Sequence, residues 1–162
     1  MAIYHQGVKL VFAETETNGG WDRWAGGDNS AFHVALVACT GTFEQDQTEE
    51  VVADVFAHTE NSEVVATGYA RKNLEGRGLA VGGDMTKFTA TDTAFGNVGS
   101  ASGGTNSTTL RAALILQQVG DDDNDYAAIC AIDLPGAPIT TNGGTITLEW
   151  DANGVFALDA TP

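Results

Sequence analysis

Basic residues are scarce in this chain. Seven Lys and Arg stand against twenty-two Asp and Glu, a net charge of −15. That balance excludes nucleic acid as a partner, because phosphate contacts need Lys and Arg to displace counterions. It excludes an anionic membrane surface for the same reason. Any partner face must be neutral or basic, since two acidic surfaces repel within a Debye length of about 10 Å. Proline is also rare, at three in 162 residues. No apolar run reaches the roughly 18 residues of a membrane-spanning helix. The N-terminal "MAIYHQGVKLVF" holds a single Lys, late and isolated, with no small-residue cleavage site after it. The chain is therefore expected to be made and kept, at least initially, in a cytoplasm. There are two cysteines, Cys39 in "VALVACT" and Cys130 in "YAAICAID", and no Cys-x-x-Cys, so a zinc ribbon is excluded. Buried free thiols are expected, with a disulfide between neighbouring core strands as the alternative.

Twenty Gly, with frequent Thr, Ala and Val, point to a β-rich protein with many tight turns. The length suits one domain over residues 1–162, enough to bury roughly 70% of the unfolded surface. Residues 1–12 fit neither strand nor helix periodicity cleanly and are expected to form a short helix or an arm. Residues 13–30 read as a Gly-rich loop carrying Trp21 and Trp24, expected to lie over the edge of the core. "AFHVALVACT" is apolar on both faces and predicts a central strand. "VVADVFAH" predicts one or two helical turns. "SEVVATGYARKNLEG" reads as a strand broken at Gly68. Residues 78–81 and 85–90 predict two short strands, and "NVGSASGGTNS" a loop. "TTLRAALILQQVG" and "YAAICAIDL" are the strongest strands, joined by "DDDND". Ile146, Leu148 and Trp150 alternate with Thr147 and Glu149, then Asp151 to Gly154 supply turn chemistry and Phe156 and Leu158 resume the alternation, which predicts a terminal hairpin. Seven to nine strands with little helix define a mainly β fold, a β-sandwich or a partly closed β-barrel.

Chemistry is hard to find. Asp121, Asp123 and Asp125 match the first three ligand positions of a calcium loop and are the candidate metal ligands. The match ends at Tyr126, where such a loop needs Gly, and at Ile132, where it needs Glu. Turn conformation alone also accounts for Asp and Asn between two strands. There is no Gly-x-Ser-x-Gly, and His5, His33 and His58 are scattered. "GRGLAVGG" lacks the third Gly of a dinucleotide fingerprint, and "GNVGSASGG" lacks the Lys of a phosphate loop. No catalytic residue and no cofactor are expected.

Four segments resemble a family of small virion proteins of tailed bacteriophages. They are "VVATGYARKNLEG" (64–76), "TAFGNV" (93–98), "LRAALILQQVGDDDNDYAAICAIDL" (110–134) and "NGGTITLEWDANGVFAL" (142–158). The N-terminal "MAIYHQGVKLVF" and the strand "FHVALVAC" fit the same outline. Phe95 stands where that outline usually has Trp, and residues 14–30 and 77–108 match loosely. The resemblance implies a non-enzymatic structural protein on the outer capsid surface, a decoration (cement) protein that binds the major capsid protein and copies of itself, a trimer being one arrangement. A tail, baseplate or fibre-associated role is the alternative within the class.

Contacts to neighbouring subunits are expected from Ile3, Tyr4, Val8, Leu10 and Phe12 in the N-terminal stretch, from Trp21 and Trp24, or from the terminal hairpin; the first two rank highest because apolar side chains there meet a backbone with no clear pattern. Two other classes compete. A carbohydrate-binding adhesion module would stack sugars on Trp21 and Trp24, with the Asp run holding a cation. A small hydrolase would need a nucleophile, a base and an orienting group, which the sequence does not supply.

Overall fold

Alternation on both faces makes the strand at the centre of the structure. In the computed structural model, which describes residues 2–3, 32–39, 41–44, 46, 48–49, 51–82, 85–99, 109–118, 126–152 and 154–159, Phe32, Val34, Leu36 and Ala38 point to one side of β2 (Phe32–Ala38) while Ala35 and Val37 point to the other. All six are buried. The expectation of a central strand is met: β2 pairs with β8 (Thr109–Gln118) along one edge and with β3 (Ser62–Glu63) and β4 (Lys72–Asn73) along the other.

The main sheet runs β1 (Ala2–Ile3), β9 (Tyr126–Asp133), β8, β2, β3, antiparallel throughout, with β4 beside β3 on β2 and β10 (Ile139–Thr140) on β8. β8 and β9 (Tyr126–Asp133) form the expected long pair. Two register shifts adjust which side chains face which layer. Ala38 pairs with Leu110 and Val37 with Ala112, so Arg111 is the extra residue in β8. Ile115 pairs with Cys130 and Leu116 with Ala128, so Ile129 is the extra residue in β9. Each bulge reverses the alternation, which is how both Ile129 and Cys130 reach the same core.

That core lies under two small sheets. One joins β12 (Phe156–Asp159), β6 (Met85–Thr89) and β5 (Gly78–Gly82); the other joins β11 (Ile146–Leu148) and β7 (Thr93–Phe95). Phe88, Phe95 and Leu148 descend from them, and Val155 from the turn before β12, into the core that also holds Val34, Leu36 and Ile115. The opposite face is smaller-grained. Ala35, Ala112, Ala128 and Ala131 leave room there for the six-residue helix α1 (Val52–Ala57), which buries Val52 and Val55. The architecture is therefore layered and mainly β, and no sheet closes into a barrel among the described residues.

Three expectations need correction. Ala2–Ile3 (β1) is extended, opposite Ala131 and Cys130, rather than helical. The outer edge of β9 offers unpaired backbone groups there, and pairing with them outweighs local preference. Four of the twelve described strands are only two residues long, more pieces than the seven to nine expected. The terminal hairpin is not a hairpin. Its turn forms, with the Gly154 N–H donating to the Asp151 carbonyl at 2.7 Å, but β11 pairs with β7 and β12 with β6. Gly154 sits at φ 86°, and a Cβ there would run into the carbonyl of Phe88. Only glycine allows the chain to cross from one small sheet to the other at that point.

Gly68 does break a strand. β3 and β4 run the same way along β2, separated by the excursion 64–71, and Gly68 lies in its turn at φ 82°. The excursion leaves the Leu36 N–H without a strand partner, and the Tyr69 hydroxyl accepts it at 3.0 Å. That hydroxyl donates to Glu63 Oε1 at 2.8 Å, and Arg71 grips the same carboxylate through Nε and Nη2. Burial, reinforced by the Glu63 carboxylate, pushes the Tyr69 phenol far above its usual range. Tyr69→Phe is expected to lower stability by about 1–3 kcal/mol in urea titrations, since a buried N–H loses its acceptor.

Candidate functional site

A cleft of about 470 Å³ opens where the chain leaves β9 and returns as β11. Its wall is apolar: Ile132 and Leu134 from the end of β9, Ile139 from β10, Ile146 and Leu148 from β11, and Trp150 beyond it. Alternation places Ile146 and Leu148 toward the core, with the exposed Thr147 between them at the mouth. Trp150 is fixed by its backbone N–H, which donates to Asp92 Oδ1 at 3.0 Å, and by its indole Nε1–H, which donates to the Thr91 carbonyl at 2.9 Å. Asp133, Glu149 and Asp151 stand exposed around the rim. No Lys, Arg or His is among the described residues that line it.

A second cleft, about 370 Å³, is polar and mixed in charge, with Arg71 and Lys72 facing Glu75 and Asp92. Arg71 also lies 4.9 Å from the ring centre of Tyr126, which in turn tilts against His33 at 5.6 Å. His33 Nε2 is 3.1 Å from Gln118 Oε1. These contacts join β3, the excursion after it, β2 and the start of β9. They hold the sheet together.

The remaining cluster sits where the acidic segment meets α1. Glu49 is buried at 7% exposure, and its Oε1 contacts His58 Nε2. Glu44 Oε2 lies 3.4 Å from His58 Nδ1. Asn61, also buried, donates to the carbonyls of Glu44 and Val55 and accepts the Glu44 N–H. With a carboxylate against each ring nitrogen, His58 joins two carboxylates rather than presenting a free basic nitrogen to a substrate. Because the carboxylates lie on opposite sides of the ring, they do not converge on one point, and no metal-holding group of three such side chains occurs among the described residues.

Both thiols are buried and free, as expected. They belong to opposite layers, Cys39 on the helix side and Cys130 under the small sheets. Burial raises the Cys39 thiol against the opposing pull of Arg111, and pushes the Cys130 thiol up to about 12. Such thiols are poor nucleophiles. The sign of the pH dependence follows. As pH rises above the ordinary 9.0 of the exposed thiol, the unfolded chain ionises at Cys130 while the folded chain does not until about 12. The stability that depends on this residue is intact below that lower value and is lost between the two. The expected slope is about 1.4 kcal/mol per pH unit, removed in Cys130→Ala and read by denaturant titrations along a pH series.

Among the contact residues expected from sequence, Ile3 lies in β1, with its backbone beside Cys130. Tyr4, Val8, Leu10, Phe12, Trp21 and Trp24 lie outside the described residues, as do Asp121, Asp123 and Asp125. The apolar cleft was not anticipated. Its signal is present in the alternation ending at Trp150, yet its other wall, from Ile132 to Ile139, comes from a segment that reads as a connection. No helix among the described residues is long and apolar enough to cross a membrane. The chain matches no protein-family model, no curated protein and no solved structure.

Proposed function

We propose that this protein is a non-enzymatic structural component of a tailed-bacteriophage particle, a decoration protein on the outer capsid surface that binds the major capsid protein. The observation that carries this reading is where the buried and partly buried polar side chains are engaged. Glu63, Tyr69 and Arg71 repair a gap in the sheet, and Glu49, His58 and Asn61 fasten the segment before α1. Such groups make a rigid body. The net charge of −15 keeps copies apart before assembly, and the four sequence segments that resemble small virion proteins supply the setting. Quantitative mass spectrometry of purified particles of the phage that encodes the chain tests the reading. The expected result is a copy number near that of the major capsid protein; a handful of copies favours the tail, and none overturns the proposal.

A further inference from the structure

We propose that three charge-free segments, gathered in one corner of the fold, form the surface through which two copies of this chain meet. Residues 64–70, 93–99 and 139–148 hold no Asp, Glu, Lys, Arg or His, in a chain with twenty-two acidic residues and a net charge of −15. They are distant in sequence and adjacent in space. The Gly99 N–H donates to the Thr67 carbonyl at 2.9 Å, and the Thr141 hydroxyl donates to the Gly99 carbonyl at 3.0 Å. The Val98 N–H donates to the Gly144 carbonyl at 3.0 Å, and the Gly143 N–H to the Val98 carbonyl at 2.8 Å. Tyr69 stacks on Phe95, with ring centres 5.9 Å apart. These ties fix the segments against one another, so little freedom is lost on contact.

The patch is open. Val65, Thr67, Gly68, Asn97, Asn142 and Thr145 are exposed. Val65, at 61%, is the one exposed large apolar side chain among the described residues. Charge decides the occupant. Two copies repel wherever their carboxylates approach within about 10 Å. The patch itself carries no such charge, and the flanking Glu63 and Arg71 pair with each other at 2.6 Å. A basic partner gains most on the acidic faces and has no reason to choose an uncharged one. A second copy is the partner that the acidic faces repel, which leaves it this one. It is present wherever the chain is made, so the contact does not depend on the virion role. The same patch on both copies makes an isologous pair, in which one substitution acts twice. Three short segments make a contact at the small end of the range, with a Kd on the order of 0.1–1 mM.

Sedimentation equilibrium of the full chain, from about 10 µM to about 1 mM protein in about 0.1 M and about 0.5 M NaCl, tests this. Val65→Glu and Thr145→Glu each place a carboxylate on the patch at an exposed position, and Thr59→Glu adds the same charge at an exposed position beyond α1. Reversible association of the parent is expected, strengthened by salt, which screens the repulsion between the acidic bodies and leaves an uncharged contact unchanged. Val65→Glu and Thr145→Glu should each weaken it at least about tenfold at the lower salt, and Thr59→Glu by less than about twofold. A chain that stays monomeric throughout overturns the proposal. So does association that salt weakens, or that either patch variant leaves unchanged, because the contact then lies elsewhere. Equal weakening by Thr59→Glu overturns it too, since net charge alone would then be responsible. Presence in phage particles is read separately, so this contact and the virion role can fail independently.

Discussion

Phe88→Ala is expected to destabilise the fold by about 3–5 kcal/mol, because it removes a large side chain from the joint between layers. Phe88 is fully buried. It lies opposite Leu79 on one side and Phe156 on the other, so it belongs to every strand pairing of its small sheet. Its side chain enters the core shared with β2 and β8, and its carbonyl accepts the Val155 N–H at 2.7 Å. Nothing nearby can collapse into the space without moving a strand. For a chain of this length the midpoint of thermal unfolding should fall by roughly 6–20 °C. Denaturant titration should show a lower midpoint with an unchanged slope. Val65→Ala is the control, since Val65 is 61% exposed; it should change stability by less than about 0.5 kcal/mol. A small effect at Phe88 would mean that the three-stranded sheet is not packed on the main one.

His58→Ala should cost about 2–4 kcal/mol, for a different reason. Glu49 keeps one carboxylate oxygen on His58, and its other oxygen is buried with no hydrogen-bond partner among the described residues. Taking away the imidazole leaves a charge in a poorly solvated site, and that penalty exceeds the value of the contact itself. The side chain of His58 is one-third exposed, so some water reaches the pair and the loss stays below that of a fully enclosed one. The double variant His58→Ala with Glu49→Gln should recover about half of the loss, because the amide can sit there uncharged. Urea titrations of the two single variants and the double variant measure this. No recovery would show that the cost lies in the packing of residues 44–61 and not in the carboxylate.

Much of the main sheet is legible in the sequence because its signal is local. β2 is apolar at successive positions, β8 and β9 are long and rich in Ala, Ile and Leu, and Gly68 marks a break that the backbone makes at positive φ. The helix in "VVADVFAH" is also where the pattern puts it. What escapes is pairing. Asp151 and Gly154 specify a turn, but Trp150 is drawn to Thr91 and Asp92 while Val155 is drawn to Phe88, so the flanking strands separate. Local turn chemistry says nothing about those distant partners. The two bulges, at Arg111 and Ile129, shift alternation midway along strands that look regular. β10 is two residues long within a segment rich in Pro and Gly, and no periodicity can be read from two residues. The cleft inherits that difficulty, since one of its walls depends on β10. The Glu49–His58 contact lies in an irregular acidic stretch where each residue has many equivalent neighbours in sequence.

Locating this chain in an electron-microscopy density map of the intact phage particle tests the structural role most directly. The layered β domain should fit density on the exterior of the shell, repeated with the lattice of the major capsid protein. Particles whose shell and tail both lack density for it, while the protein remains free in the lysate, would contradict a role in the virion.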